Sequence, residues 1–90
     1  MAEIVVPRVH QNGTSKEQLL DGLLRIYEKL SEAHDAMSQA FPHGRDYYIY
    51  NDNMATYNIA RNQMTRKMET VLHLMHEILT ERELIDQQGS

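Results

Sequence analysis

Pro42-His43-Gly44-Arg45-Asp46-Tyr47-Tyr48-Ile49-Tyr50-Asn51-Asp52-Asn53 separates two long helical patterns, and its reading decides the fold. A plain connector between packed helices needs a few polar residues and a glycine. This stretch is longer, and it holds three of the five tyrosines, with Tyr57 following just behind. The chain on either side must therefore be two helices that the stretch turns back on each other.

Upstream, Thr14-Ser15-Lys16-Glu17 reads as a capping box, in which a hydroxyl takes the third helical amide and a carboxylate reaches back. Apolar residues then recur at alternating steps of four and three: Leu19, Leu23, Ile26, Leu30, Ala33, Met37 and Ala40. That is a heptad-like seam. Leu20, Leu24, Tyr27, His34 and Phe41 add a second stripe beside it. Pro42 and Gly44 stop the helix. Downstream, Asp52 or Asn53 suits a helix cap. A second seam runs from Tyr57 through Arg61, Met64, Met68, Val71, Met75 and Ile78 to Arg82 and Ile85. The spacing predicts helices over 15–41 and 53–85 with a loop at 42–52.

Residues 1–13 read as an arm. Ile4, Val5, Val6 and Val9 favour extended backbone, Pro7 restricts Val6 likewise, and His10-Gln11-Asn12-Gly13 reads as a turn because Asn-Gly tolerates positive φ. Such an arm lies in a groove on its own helices, crosses to a neighbouring subunit, or frays. Residues 87–90 are polar and read as a disordered tail, which leaves the hairpin to 14–86. The expected fold is all-α: a long antiparallel helical hairpin with an extended N-terminal arm. Each helix carries more apolar surface than the other can cover, so the hairpin is expected to oligomerise into a helical bundle, as a dimer or a higher even state. The six methionines fit an adaptable interface of that kind.

Composition narrows the function classes. Ninety residues make one domain with a marginal core of its own. There is no cysteine, hence no disulfide framework and no thiolate metal site. A net charge of −4 argues against nucleic acid as a partner, because a phosphate backbone needs a positive field. No apolar run approaches the roughly 20 residues of a membrane span, and Ile4-Val5-Val6 lacks the basic region of a signal peptide. A soluble cytoplasmic protein with no membrane partner is expected.

Chemistry-bearing patterns are few. His73 and His76 stand three apart with Glu77 beside them, which lacks the four-residue spacing of the zincin helix. No metal site and no cofactor are expected. Ser31 and Ser38 lie in mid-helix, outside any nucleophile elbow. A non-enzymatic protein is expected. The loop is different. Arg45 offers a rigid fork for phosphate or carboxylate. Asp46 can accept from a guanidinium, a ribose hydroxyl or a helix amide. Tyr47, Tyr48 and Tyr50 offer flat faces and hydroxyls. Arg61, expected to face the first helix, needs a counter-charge or an anionic ligand there. Two readings stand side by side. In one, Arg45 and Asp46 form a salt bridge that locks the turn. In the other, Arg45, Asp46, Tyr47, Tyr48, Tyr50 and Arg61, with His10, Asn12 and Thr14 of the preceding turn nearby, line a pocket for a small anionic, nucleotide-like ligand.

The pattern His10-x-Asn12-Gly13-Thr14-Ser15-x-Glu17 before one helix and Pro42-x-Gly44-Arg45-Asp46-Tyr47-Tyr48 before the next resembles a group of small helical phage and prophage proteins. By size and architecture the chain is also similar to phage anti-defence sponges, the helical-hairpin anti-CBASS and anti-Thoeris proteins that sequester nucleotide-derived immune signals. That likeness matches no sequence motif and transfers no binding residue. It implies a protein that sequesters such a signal to counter host antiviral defence. The alternatives are a protein–protein inhibitor of a host defence complex, as small acidic anti-CRISPR proteins are, and a small structural or assembly protein.

Overall fold

A computed structural model describes residues 3–89. Two helices dominate: α1, Lys16–Gln39, and α2, Ala55–Asp86. Between them lie two short 3-10 turns, Gly44–Asp46 and Tyr48–Tyr50. The helices pack against each other along their length, and no strand occurs among the described residues. The fold is an all-helical hairpin.

Local chemistry explains the helix ends. The capping box forms one residue later than Thr14 and Glu17 suggest. Ser15 is the cap, its Oγ accepts from the Gln18 N–H at 3.1 Å, and the Gln18 side chain returns a bond to the Ser15 N–H. Both registers pair a hydroxyl with a long polar acceptor three residues on, so the local pattern fits either. α1 stops at Gln39, short of Phe41, because the residue before proline is pushed out of the helical region. Gly22 stands in the interior of α1, where glycine costs about 0.8–1.0 kcal/mol of helix stability relative to alanine.

The packing seam differs from expectation by one register on α1. The inward positions are Leu20, Leu23, Tyr27, Leu30, His34, Met37 and Phe41, all half-buried and again spaced three and four apart. Ile26, Ala33 and Ala40 are exposed instead, Ile26 at 47%. On α2 the seam runs as predicted except that Ala60 replaces Arg61, which turns outward. Arg82 stays in the seam, where its Nε–H donates to the Leu20 carbonyl at 3.3 Å.

The segment ahead of α1 lies against the end of α2. The Val9 N–H donates to the Gln88 side-chain oxygen at 2.7 Å, and the Gln88 amide donates to the Pro7 carbonyl at 2.8 Å. Lys16 Nζ donates to the Gln88 carbonyl at 2.8 Å. Gln88, expected in a disordered tail, is thus half-buried and ties the two ends of the chain together. Met1 and Ala2 of the arm and Ser90 of the tail lie outside the described residues. The His10–Gly13 turn forms through a Gly13 N–H to His10 carbonyl bond of 3.2 Å, without the positive φ anticipated for Asn-Gly.

The resulting body is a rod, 64 × 25 × 16 Å, with a radius of gyration of 19.2 Å. A compact chain of this length has a radius of gyration of about 12 Å. Among the described residues only Met75, 9% exposed, and Ile85, 1% exposed, form a buried core. No described helix is long and apolar enough to cross a membrane.

Candidate functional site

The loop end is shaped by three left-handed residues. Asn51, Asn53 and Met54 have φ of 49°, 56° and 70°. Asparagine enters this region readily, whereas methionine does so at a cost. Gly44, the glycine of this loop, has no positive φ. A Cβ there would sit 2.9 Å from the Met54 methyl, the far end of a flexible side chain that can move aside. Asp52 anchors the start of α2, accepting from the Thr56 N–H at 3.2 Å and from the Thr56 hydroxyl.

This backbone builds a row of rings. Residues three apart eclipse in a 3-10 turn, which sets Tyr47 and Tyr50 together, centroids 6.2 Å apart and planes 24° apart. Tyr57, in the first turn of α2, also meets Tyr47, centroids 5.8 Å apart and planes tilted by 43°. Arg61, four residues along the same helix face, places its guanidinium carbon 5.7 Å from the Tyr57 centroid, a cation–π distance. Arg61 is exposed, so it is held by a ring face rather than buried in the seam.

The other expected site residues are spread out. Arg45 and Asp46 are exposed, and among the described residues they form no ion pair with each other or with any other side chain. The turn is held by backbone bonds instead, Asp46 N–H to the His43 carbonyl at 3.1 Å and Tyr47 N–H to the Gly44 carbonyl at 2.9 Å. Tyr48 stands 72% exposed. A shallow cavity of about 200 Å³ is lined by Tyr47, Tyr48, Asn51, Asp52, Asn53 and Met54. Neither arginine lines it. The sequence reading placed Tyr57 in the α2 seam, four residues before Arg61, and left it out of the candidate site, although its ring links Tyr47 to Arg61; it treated Asp52 and Asn53 as capping residues only.

His10, Asn12 and Thr14 are not near this loop. They precede α1, whose 24 residues span about 36 Å at roughly 1.5 Å per residue. One chain therefore holds the two groups at opposite ends of a helix. His10 instead packs its ring over Gly13, 2.5 Å from where a Cβ would stand.

No described group of three His, Asp or Glu side chains is arranged to hold a metal ion. His73 pairs with Glu77, Nε2 to Oε1, at 2.9 Å. No protein-family model, curated protein or solved structure matches the chain.

Proposed function

We propose that this is a non-enzymatic protein that works by contact, as a helical module whose outer apolar faces bind another protein chain. The carrying observation is surface. The accessible area is 7075 Å², against about 5,400 Å² for a compact monomer of this mass. Exposed Ile26, Ile59, Leu72, Leu74, Leu79 and Leu84 distribute that excess over both helices. A surface of this kind is what an assembly factor or a contact inhibitor requires. The test is light scattering together with thermal melting across a hundredfold range of protein concentration. A melting temperature that rises with concentration, or with an added partner chain, supports the reading. A cooperative, concentration-independent monomer whose stability responds only to a small ligand overturns it.

A second reading is favoured by the ring row. Tyr50, Tyr47, Tyr57 and Arg61 form a continuous aromatic and cationic edge, and Arg45, two residues before Tyr47, has no carboxylate partner among the described residues. That edge suits the stacking of a base and the pairing of a phosphate. On this reading the protein sequesters a nucleotide-derived signal. The proposed setting, countering host antiviral defence in the cytoplasm, rests on the resemblance to phage proteins alone. A melting-shift panel of cyclic dinucleotides, cyclic trinucleotides and cyclic ADP-riboses tests it. A ligand at 100 times its dissociation constant adds about 2.7 kcal/mol, and a flat response across the panel removes the reading.

A further inference from the structure

The hairpin has two sides, and the segment ahead of α1 runs along one of them. Pro7 faces Leu19, Gly22 and Ile26 of α1 and Glu81 of α2 across one cavity, and Ile4 and Val5 face Glu77 and Glu81 across another. Each of these helix positions falls one residue before a seam position: Leu20, Leu23 and Tyr27 on α1, Ile78 and Arg82 on α2. One step is about 100° around a helix, so the residues one step after the seam mark the opposite side. There Leu72 and Leu79 of α2 stand 48% and 42% exposed, and Leu24 and Ser31 of α1 are half-buried.

The bond from Arg82 to the Leu20 carbonyl sets the two helices in register. Counting from it in opposite directions brings Leu24 level with Leu79, and Ser31 level with Leu72, to within one residue. These two layers are seven residues, or about 10 Å, apart. Carboxylates bound them on both helices. Asp21 and Glu83 stand beyond one layer, Asp35 and Glu69 beyond the other, and Glu28 between. All five are exposed, and among the described residues none is in an ion pair. Arg61 and His76 are the only basic side chains on these rows, and Arg61 lies past Glu69 toward the loop, over Tyr57.

We propose that this side seats a cationic amphipathic helix of another protein. The helix lies along the hairpin with apolar residues about seven apart over the two layers and Lys or Arg on both flanks. This rests on the reading of the protein as a contact module and names the chemistry of its partner. Charge selects the occupant. In a two-fold dimer the same patch meets itself, so a second copy would set carboxylates against carboxylates. Nucleic acid and an anionic bilayer are repelled for the same reason. An uncharged helix would draw the carboxylates out of water with no counter-charge. The seven-residue interval between layers matches a helix, whereas an extended chain repeats its faces every two residues.

The test is calorimetric titration of the full chain with three synthetic peptides about 18 residues long, which span both layers and the flanking carboxylates at roughly 1.5 Å per residue. One carries leucine at heptad positions and lysine elsewhere. The second has glutamate for lysine, and the third is the leucine–lysine composition in scrambled order. The leucine–lysine helix is expected to bind at micromolar concentration and to weaken at least about tenfold between 50 and 500 mM salt, as exposed charges are screened. The other two peptides should bind at least about tenfold more weakly. Glu28→Gln with Glu69→Gln should weaken binding about tenfold. Glu32→Gln with Asp46→Asn removes the same charge away from this side and should change it by less than about twofold. Leu72→Asn with Leu79→Asn should weaken it about tenfold, with helical signal kept in every variant. Four results overturn the proposal: no binding of the leucine–lysine helix up to about 1 mM, equal weakening by the two charge pairs, a scramble that binds as tightly, or a wild-type oligomer in sedimentation that Leu72→Asn with Leu79→Asn disperses. The last means that a second copy covers this side, and the contact-module reading then stands. Failure of the peptides alone also leaves that reading standing, because its own measure is the concentration dependence of the melt.

Discussion

Val9 donates its backbone N–H to the side chain of Gln88 at 2.7 Å, across 79 positions of sequence. The same side chain donates back to the Pro7 carbonyl at 2.8 Å. One amide thus treats the segment ahead of α1 much as a neighbouring strand would, with a donor and an acceptor at alternate residues. Each partly exposed bond contributes about 0.5–1.5 kcal/mol. Gln88→Ala is expected to lower stability by about 1–2 kcal/mol, a fall of roughly 4–8 °C per kcal/mol in a chain of this size. Gln88→Glu keeps the acceptor for Val9 and loses the donor to Pro7, so its melt should fall between the two. An unchanged melting temperature in Gln88→Ala would mean that the segment adds no stability.

Ile85 and Ile26 are the same residue type in opposite situations, 1% and 47% exposed. Truncating a fully buried aliphatic side chain removes transfer energy and leaves a cavity, about 2–5 kcal/mol. Ile85→Ala should therefore unfold at markedly lower urea, and in a hairpin with so small a core it brings the protein close to its stability limit. Ile26→Ala in dilute solution should cost under about 1 kcal/mol. Equal costs for the two at low concentration would contradict this packing arrangement.

Much of the hairpin was legible because heptad spacing is a backbone property that survives any choice of partner face. The register of the α1 seam was not. The pattern of purely aliphatic residues selects Ile26 and Ala33, yet Tyr27 and His34 take the inward positions. An amphipathic ring can bury its body in a seam and keep its polar tip wet, so the more apolar row was left outside. In the loop, glycine was the natural candidate for left-handed backbone, and Asn51, Asn53 and Met54 took that conformation instead. The ring row was half legible: Tyr47 and Tyr50 stand within the stretch, but their meeting with Tyr57 depends on how α2 returns. The distance of His10, Asn12 and Thr14 from the loop follows from the length of α1, which the helix prediction already contained.

Asp52 stands two residues before the left-handed Met54 and reaches past it to Thr56. It satisfies an amide at the positive end of α2, where a carboxylate is favoured. Replacing a helix-capping acceptor by alanine costs about 0.5–2 kcal/mol. Asp52→Ala should show that loss, with faster hydrogen exchange confined to the first turn of α2. Asp52→Asn keeps an acceptor and should recover most of it. Exchange that quickens along the whole of α2 would show that the cap holds the hairpin rather than the helix end.

Tyr47 and Tyr48 are neighbours with different work to do. Tyr47 is half-buried and touches the rings of both Tyr50 and Tyr57. Aromatic pairs add about 0.5–1.5 kcal/mol each beyond the area they bury, so Tyr47→Ala is expected to cost about 1–3 kcal/mol. Tyr48 is 72% exposed, and surface changes away from such contacts stay within about 0.5 kcal/mol. Urea unfolding of the two variants checks the contrast. The same pair separates the two readings of the loop. If the ring row only braces the turn, Tyr48→Ala is silent in every assay. If a planar base stacks at the shallow cavity that Tyr48 helps to line, Tyr48→Ala removes a stacking face worth about 1–3 kcal/mol, a loss of roughly 5- to 160-fold in affinity with stability untouched. A Tyr48→Ala protein that keeps full affinity for a ligand found in the panel would place that ligand away from the cavity.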